Sequence, residues 1–460
     1  MDRKMRSERD SMGEVAVPEE SLYGASTMRA LTNFPISDLR FGRSFIRALC
    51  LIKHCGAIVN GEDGVLSEAL AEAIVQSAAR CASGEFDSDF VVDIFQTGSG
   101  TSTNMNANEV IANLAIERLG GVRGERSLVH PNDHVNHGMS SNDCIPTAIH
   151  VAALLDIKEK LEPALSALEG SLRERASAFM PVIKTGRTHL QDATPIRLGQ
   201  EFIGYAGQVE RALVRLAHAR ERLSSVALGG TAVGTGIGTR ADFAARVLAL
   251  LSEKTGLTLN ETSNHFQAQS TIDEIVEASG ILRTIAVSLL KIANDIRFLG
   301  SGPRAGYGEL VLPEVQPGSS IMPGKVNPVI AESLSMVCAR VIGNDATIVI
   351  AGQSGNFELN VMLPVAGYCL LQSIGLLASS AHNFKVRLVD GLKATSRGPE
   401  LLENGLSLAT ALVGEIGYDE AAAVAHEAYL SGATVRQVVL KRALIDPVKL
   451  DELLAPESMV

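Results

Sequence analysis

Tryptophan is absent from all 460 residues, and aromatic side chains make up only 4% of the chain. Cores built on large rings are thereby disfavoured. With 46% hydrophobic residues, rich in Ala and Leu, the packing suits helices in contact through small side chains better than β-sandwiches. An excess of positive charge is also missing, since 41 Lys and Arg face 52 Asp and Glu for a net charge of -11. That balance excludes a nucleic-acid footprint, which needs clustered cations to replace counterions. It also means that a site for an anion must gather positive groups locally.

No C-x-x-C pair occurs among Cys50, Cys55, Cys81, Cys144, Cys338 and Cys369. Scattered thiols in apolar patterns predict a reduced, cytoplasmic chain without structural zinc or a metal cluster. Uninterrupted apolar runs of the ~20 residues that cross a bilayer are lacking, so no membrane span is expected. The opening "MDRKMRSERDSMGE" has basic residues but also Asp2, Glu8 and Asp10, and no apolar stretch. It reads as neither a secretory signal nor a transit peptide.

What is present is helical periodicity over a length that implies two or three domains. Helices are predicted at 43–60, 67–83, 104–119, 143–178, 196–224, 240–253, 267–300, 328–352 and 362–388, with a shorter cluster over 398–456. In the longest, Ile149, Ala153, Ile157, Leu161, Leu165, Leu168 and Leu172 form one apolar stripe, and Pro163 should kink it. The expected architecture is all-α: a central bundle of long helices over 141–360, a mixed N-terminal domain over 1–140 and a small helical C-terminal domain over 361–460.

Four polar segments break this pattern: "QTGSGTSTNMNANE" (96–109), "HPNDHVNHGMSSNDCIPT" (130–147), "KTGRTHLQDATP" (184–195) and "PGSSIMPGKVNP" (317–328). Each is read as a loop running into a helix. Ser, Thr, Asn and Pro are ordinary helix-start residues, and Asn327-Pro328 fits such a start. Capping does not explain Ser319, Ser320, Lys325 and Asn327 in one loop, or Thr188-His189 in another. Helix N-termini also collect N–H groups and a positive dipole end, which suit carboxylates. Several such junctions together would hold a carboxylate.

A helix over 143–178 is on the order of 50 Å long at ~1.5 Å per residue. It separates Ser140, Ser141 and Asn142 from Thr188 and His189, so one site using both must draw on different copies of the chain. A homo-oligomer with shared sites is expected.

With these residues assembled, the chain resembles the fumarase/aspartase superfamily, whose hallmark loop is "GSSIMPGKVNP", and within it the class II fumarases. The likeness runs from "DSMGEVAVPEESLYGA" to "IGYDEAAAVAHEA". His189 in "GRTHLQDA", Gly324 before the lysine and "SGNFELNVMLP" favour the fumarase form over aspartase, which remains the alternative on this fold. A non-catalytic structural protein of this fold is the alternative of another class, disfavoured because the charged loop residues are all present.

The resemblance implies metal-independent, cofactor-free interconversion of fumarate and malate in a tetramer. It implies Ser319 as the base, Lys325 as the counter-charge, and His189 as the acid, acting through water and linked to Glu332. Ser99, Gly100, Thr101, Ser140, Ser141, Asn142, Thr188, Ser320 and Asn327 would contact substrate, and His130, Pro131, Asn132 and Asp133 would form a second anion site. Met139, Ser26 and Met28 depart from the pattern, standing where such enzymes commonly have Gln. The change at Met139 is expected to remove a polar group beside the substrate loop.

Overall fold

The computed structural model describes residues 4–460. Helices dominate, and among the described residues the strands pair only as two-stranded ribbons. The chain divides into two compact units, the first comprising the chain up to Pro163, Val214–Thr284 and Ala339–Ala378, the second Ala164–Leu213, Ile285–Cys338 and Ser379–Val460.

The first unit opens with a hairpin of β1 (Met5–Asp10) and β2 (Gly13–Pro18), followed by α1 (Ala25–Asn33). Sequence patterning misses both β1 and α1. The start of α1 has no local cap. Instead the buried Glu109 carboxylate accepts the backbone N–H groups of Gly24, Ser26 and Thr27 at 2.8–3.0 Å and the Thr27 hydroxyl at 2.7 Å. Acidic charge at a helix N-terminus is favourable there, and it comes from a distant segment.

Next come α2 (Arg43–Glu62), α3 (Glu68–Ser83), α4 (Thr101–Arg118) and α5 (Ser141–Asp156). Ser67 caps α3 by accepting from Leu70 N, and Gly84 ends it in the left-handed region, a common start and stop. Phe45, Leu49 and Ile52 of α2, Ile74 of α3, Ile111 of α4 and Ile145 of α5 are fully buried and form the core of this unit.

A wide π-helical turn over Ile157–Leu161 leads from α5 into α6 (Glu162–Phe179), which contains Pro163. The expected disturbance at the proline is therefore met by a change of helical spacing one step earlier. The seven stripe residues are all buried. β3 (Ile183–Thr188) and β4 (Gln191–Arg197) then form a hairpin leading into α7 (Leu198–Leu223). This corrects the reading of 184–195 as a loop.

After α8 (Phe243–Thr255) the predicted helix 267–300 is two helices, α9 (His265–Ser270) and α10 (Asp273–Leu299). Thr271 between them is extended; its hydroxyl bonds the Gln267 carbonyl and accepts the Gln267 side-chain amide. That local side-chain pairing competes with the helix.

The last long helices are α11 (Val329–Gly352) and α12 (Leu363–Arg387). Both are long and apolar enough to cross a bilayer by length and composition, contrary to the sequence expectation. Glu332, Arg340 and Asp345 interrupt α11, and most of the apolar window of α12 is buried in the protein, as a core helix would be. In the second unit, Ile183 of β3 joins Leu402, Leu408, Leu412, Val424, Val438 and Leu450 in the core of the C-terminal helices.

Candidate active site

The residues singled out from the sequence fall into two groups. Ser99, Gly100, Thr101, His130–Asp133, Ser140, Ser141 and Asn142 belong to the first unit, while Thr188, His189, Ser319, Ser320, Lys325, Asn327 and Glu332 belong to the second.

In the first unit two helix N-termini approach one another. Gly100 begins α4 at φ 74° and lies against α5, where a Cβ would come within 2.8 Å of Ile145 Cγ2. Only glycine meets both demands. Asn104, in the first turn of α4, donates from Nδ2 to Ser141 Oγ of α5 at 3.1 Å, which ties the two helix starts together. Their N–H groups and dipole ends favour an anion.

Ser140 is a genuine cap: its Oγ accepts from Asn142 N at 3.2 Å, and Asp143 Oδ1 accepts from Ser140 N at 2.9 Å. The plain structural role therefore holds for Ser140, yet a hydroxyl that accepts keeps its proton to donate. The same is true of Ser141. Asn142 donates Nδ2 to Ala232 O at 2.7 Å, and Ser99 and Thr101 share a 2.7 Å hydroxyl contact. Burial pushes the Asp143 carboxyl up, against the pull of N–H donors from Ser140, Thr231 and Gly229.

His130 precedes a π-helical turn, Pro131–Val135, and its Nδ1 accepts the backbone N–H groups of Asn132 and Asp133 at 3.2 and 3.1 Å. His134 Nδ1 in turn accepts the His130 N–H at 2.9 Å. Burial pushes the His134 imidazole down, so it remains neutral and able to accept.

In the second unit, Thr188 and Gln191 pair across the hairpin, leaving His189 and Leu190 as a two-residue turn at φ 55° and 60°. Positive φ at both positions is the primed turn that fits strand twist, but Asn and Gly usually occupy it. His189 is thus held, exposed, at the tip by strained backbone.

The glycine-containing loop closes on itself. Gly318 N donates to Lys325 O at 2.9 Å, and Asn327 Nδ2 donates to Gly318 O at 2.7 Å. A Cβ on Gly318 would lie 2.3 Å from the Lys325 carbonyl oxygen, so the closure requires glycine. Ser319 Oγ accepts two backbone N–H groups, Ile321 at 3.2 Å and Met322 at 3.1 Å. Lys325 is exposed, and among the described residues none bonds its ammonium. Asn327 does not cap the following helix, which begins at Val329; its side chain staples the loop instead. Ser320 is exposed, and Glu332 lies in the first turn of α11. Among the described residues no hydrogen bond links His189 to Glu332 within the chain.

One group escaped the sequence reading. Lys184, almost fully buried, pairs with Glu201 at 2.9 Å and with Glu309 at 3.1 Å, and Arg187 bonds Glu309 at 2.6 Å while lying 4.3 Å over the Tyr307 ring. These residues support the hairpin beside a cavity of about 130 Å³ that Leu190 also lines. Burial pushes the Glu201 carboxyl up, and Lys184 pulls it partly back.

Two departures become intelligible. Met139 is buried, and a Cβ on Gly56 would lie 3.0 Å from its Cε and 3.6 Å from Phe243 Cζ; the methionine fills a core gap in the first unit. Ser26 contributes its backbone N–H to Glu109, so its side chain is not needed for that cap. The structure gives no account of Met28.

A lyase family model matches residues 13–343, and a fumarase C C-terminal model matches 408–460. The chain is 48% identical to a class II fumarate hydratase of Methylorubrum extorquens, over 99% of this chain and 97% of that protein. It is also 48% identical to a mitochondrial fumarate hydratase of Saccharomyces cerevisiae, over 100% and 95%. Among solved structures, a class II fumarase from Schistosoma mansoni superposes with a TM-score of 0.95 at 37% identity, over 99% of both chains.

Proposed function

The chain belongs to the class II fumarate hydratase family of lyases, and from that membership we propose how its residues divide the work of interconverting fumarate and (S)-malate. Elimination of water removes a proton from the carbon beside a carboxylate. The pair of electrons left by the C–H bond spreads onto a group that is already negative. Fixed positive charge at that carboxylate is therefore the largest catalytic demand.

The observation that carries the assignment is the pair of N–H donors on Ser319 Oγ. A serine hydroxyl is a poor base unless its oxyanion is stabilised, and these donors do so without reorganisation. Lys325, whose ammonium has no partner among the described residues, meets the carboxylate that gathers charge. Leaving hydroxide takes its proton from His189, an imidazole being the side-chain type that most often serves as a general acid. In the assembled oligomer Glu332 of a neighbouring copy orients His189, and Thr188, Ser320 and Asn327 contact substrate. Ser99, Gly100, Thr101, Ser140, Ser141 and Asn142 grip the other carboxylate. His130, Pro131, Asn132 and Asp133 form an accessory anion site.

These two groups meet, in this reading, between copies of the chain. Residues 141–179 are helical without a break, and at ~1.5 Å per residue such a run is on the order of 50 Å of helix. Apolar side chains on α11 are left outward, with Met336 69% and Ile350 62% exposed, as a face covered by another copy would be. We read the assembly as a homotetramer. The stretches 1–140, 141–360 and 361–460 are read as its domains. A cytoplasmic setting rests on six free, buried cysteines.

Absorbance at fumarate wavelengths on adding malate or aspartate tests the substrate: malate alone should give signal, and aspartate turnover would favour ammonia release. Ser319→Ala should remove nearly all activity while the melt is unchanged; retained turnover would eliminate this base. Dilution to monomer, followed by light scattering, should abolish activity in parallel with dissociation.

A further inference from the structure

Helix α2 carries a lysine where an apolar residue would be expected. Lys53 is 0% exposed, and among the described residues no carboxylate lies within ion-pairing distance of its ammonium. Burying such a charge is costly, and an apolar replacement of similar volume is often neutral or stabilising. A role beyond packing is the simplest reason to keep it.

Its position supplies that role. Lys53 Nζ donates to Asn136 Oδ1 at 2.6 Å, and the same oxygen accepts from Asn104 Nδ2 at 3.1 Å and Asn108 Nδ2 at 3.3 Å. Asn136 Nδ2 then donates to Met139 O at 2.9 Å, directly before the Ser140 cap, while Asn104 reaches Ser141 Oγ at 3.1 Å. One face of α2 thus grips the whole segment: Lys53 holds Asn136, Gly56 leaves room for Met139, and Asn60 donates to His137 O at 3.1 Å. The arrangement leaves the buried oxygens of Asn104 and Asn108 unpaired. A junction built for stability alone would avoid that cost.

Electrostatics point the same way. Asp143, the nearby acid, is occupied by backbone N–H groups of Ser140, Gly229 and Thr231 at 2.9–3.1 Å. The ammonium lies beneath the starts of α4 and α5, where solvent screening is weak.

We propose that Lys53 is a positioning residue for the dicarboxylate site: through Asn136 it fixes the Ser140–Asn142 turn, and its charge makes that turn attractive to a carboxylate. This rests on the reading of the turn as a substrate contact. The test compares Lys53→Met, Asn136→Asp and Ser141→Ala in the full-length oligomer, measuring KM and kcat for fumarate and malate, with inhibition by succinate. Lys53→Met should fold with an undiminished melt and raise KM and the succinate inhibition constant about tenfold, the worth of one charge-assisted hydrogen bond, with kcat little changed.

Asn136→Asp retains an oxygen for Lys53 but neutralises its charge, and should raise KM similarly. It carries the test alone if Lys53→Met does not fold. Unchanged KM in a folded Lys53→Met, or in Asn136→Asp if that variant must stand alone, overturns the inference. If Ser141→Ala raises KM while those variants do not, the proposal about Lys53 falls and the site reading stands. If Ser141→Ala also leaves KM unchanged, both fall.

Discussion

A histidine at φ 55° is held where most side chains resist, and the residue chosen to replace it must respect that. Asparagine tolerates the left-handed region well and cannot act as an acid near neutral pH. His189→Asn should therefore fold at least as well as the parent, and lose on the order of 10²–10⁴ in kcat. Matched thermal melts with turnover near the parental value would remove His189 from the reaction. The comparison is informative because Ser319 and Lys325 lie on a different segment and remain intact. Loss of rate without loss of fold would then separate proton transfer from loop closure.

At the scale of the element, the hairpin that carries His189 also carries Leu190 at φ 60°, a position where glycine is much easier. Leu190→Gly should stabilise the hairpin by about 1 kcal/mol if the strain is local, read as a higher denaturant midpoint at constant slope. A lower midpoint would mean that Leu190 contributes more by lining the adjacent cavity than it costs in backbone strain.

This hairpin also shows where sequence reading stops. The stripe from Ile149 to Leu172 was legible because spacing alone dictates burial, and the loop of Ser319 and Lys325 stood out because capping cannot explain its residues. The turn His189-Leu190 lacks the Asn-Gly signature, so its strands were read as a loop. α1 was invisible because its cap, Glu109, comes from another helix. Nothing in the sequence marks Lys53 and Lys184, since only tertiary structure shows that both are buried.

At the scale of the molecule, acid should loosen the fold in a way that can be traced. Burial pushes the imidazoles of His54, His134 and His150 below their ordinary value. The unfolded chain takes up these protons near the usual pKa of about 6.5, and the folded chain does so only at lower pH. Their stability contribution is present above that value and is lost as pH falls through the depressed ones. Asp143 and Glu201, raised by burial, act in the opposite sense, so the total slope is shallower than three histidines would give. His150 donates from Nδ1 to the carbonyls of Leu223 and Ser225 at 3.1 and 3.0 Å, bonds a glutamine can replace. His150→Gln should lose less stability than the parent between pH 7 and 5.5 in denaturant titrations; equal losses would exclude His150 as a contributor.

The two compact units meet along the chain at 163/164, 213/214, 284/285, 338/339 and 378/379, and each of these points lies inside α6, α7, α10, α11 or α12. Domain boundaries usually fall in exposed linkers, where proteases cut and genes recombine. Here no linker exists to be cut. A protease that nicks surface loops should not liberate either unit, and a gene fragment ending between them would stop in mid-helix. Each of these helices starts in one unit and ends in the other, so a split at any of these points leaves broken helix ends, with unsatisfied backbone groups, in both.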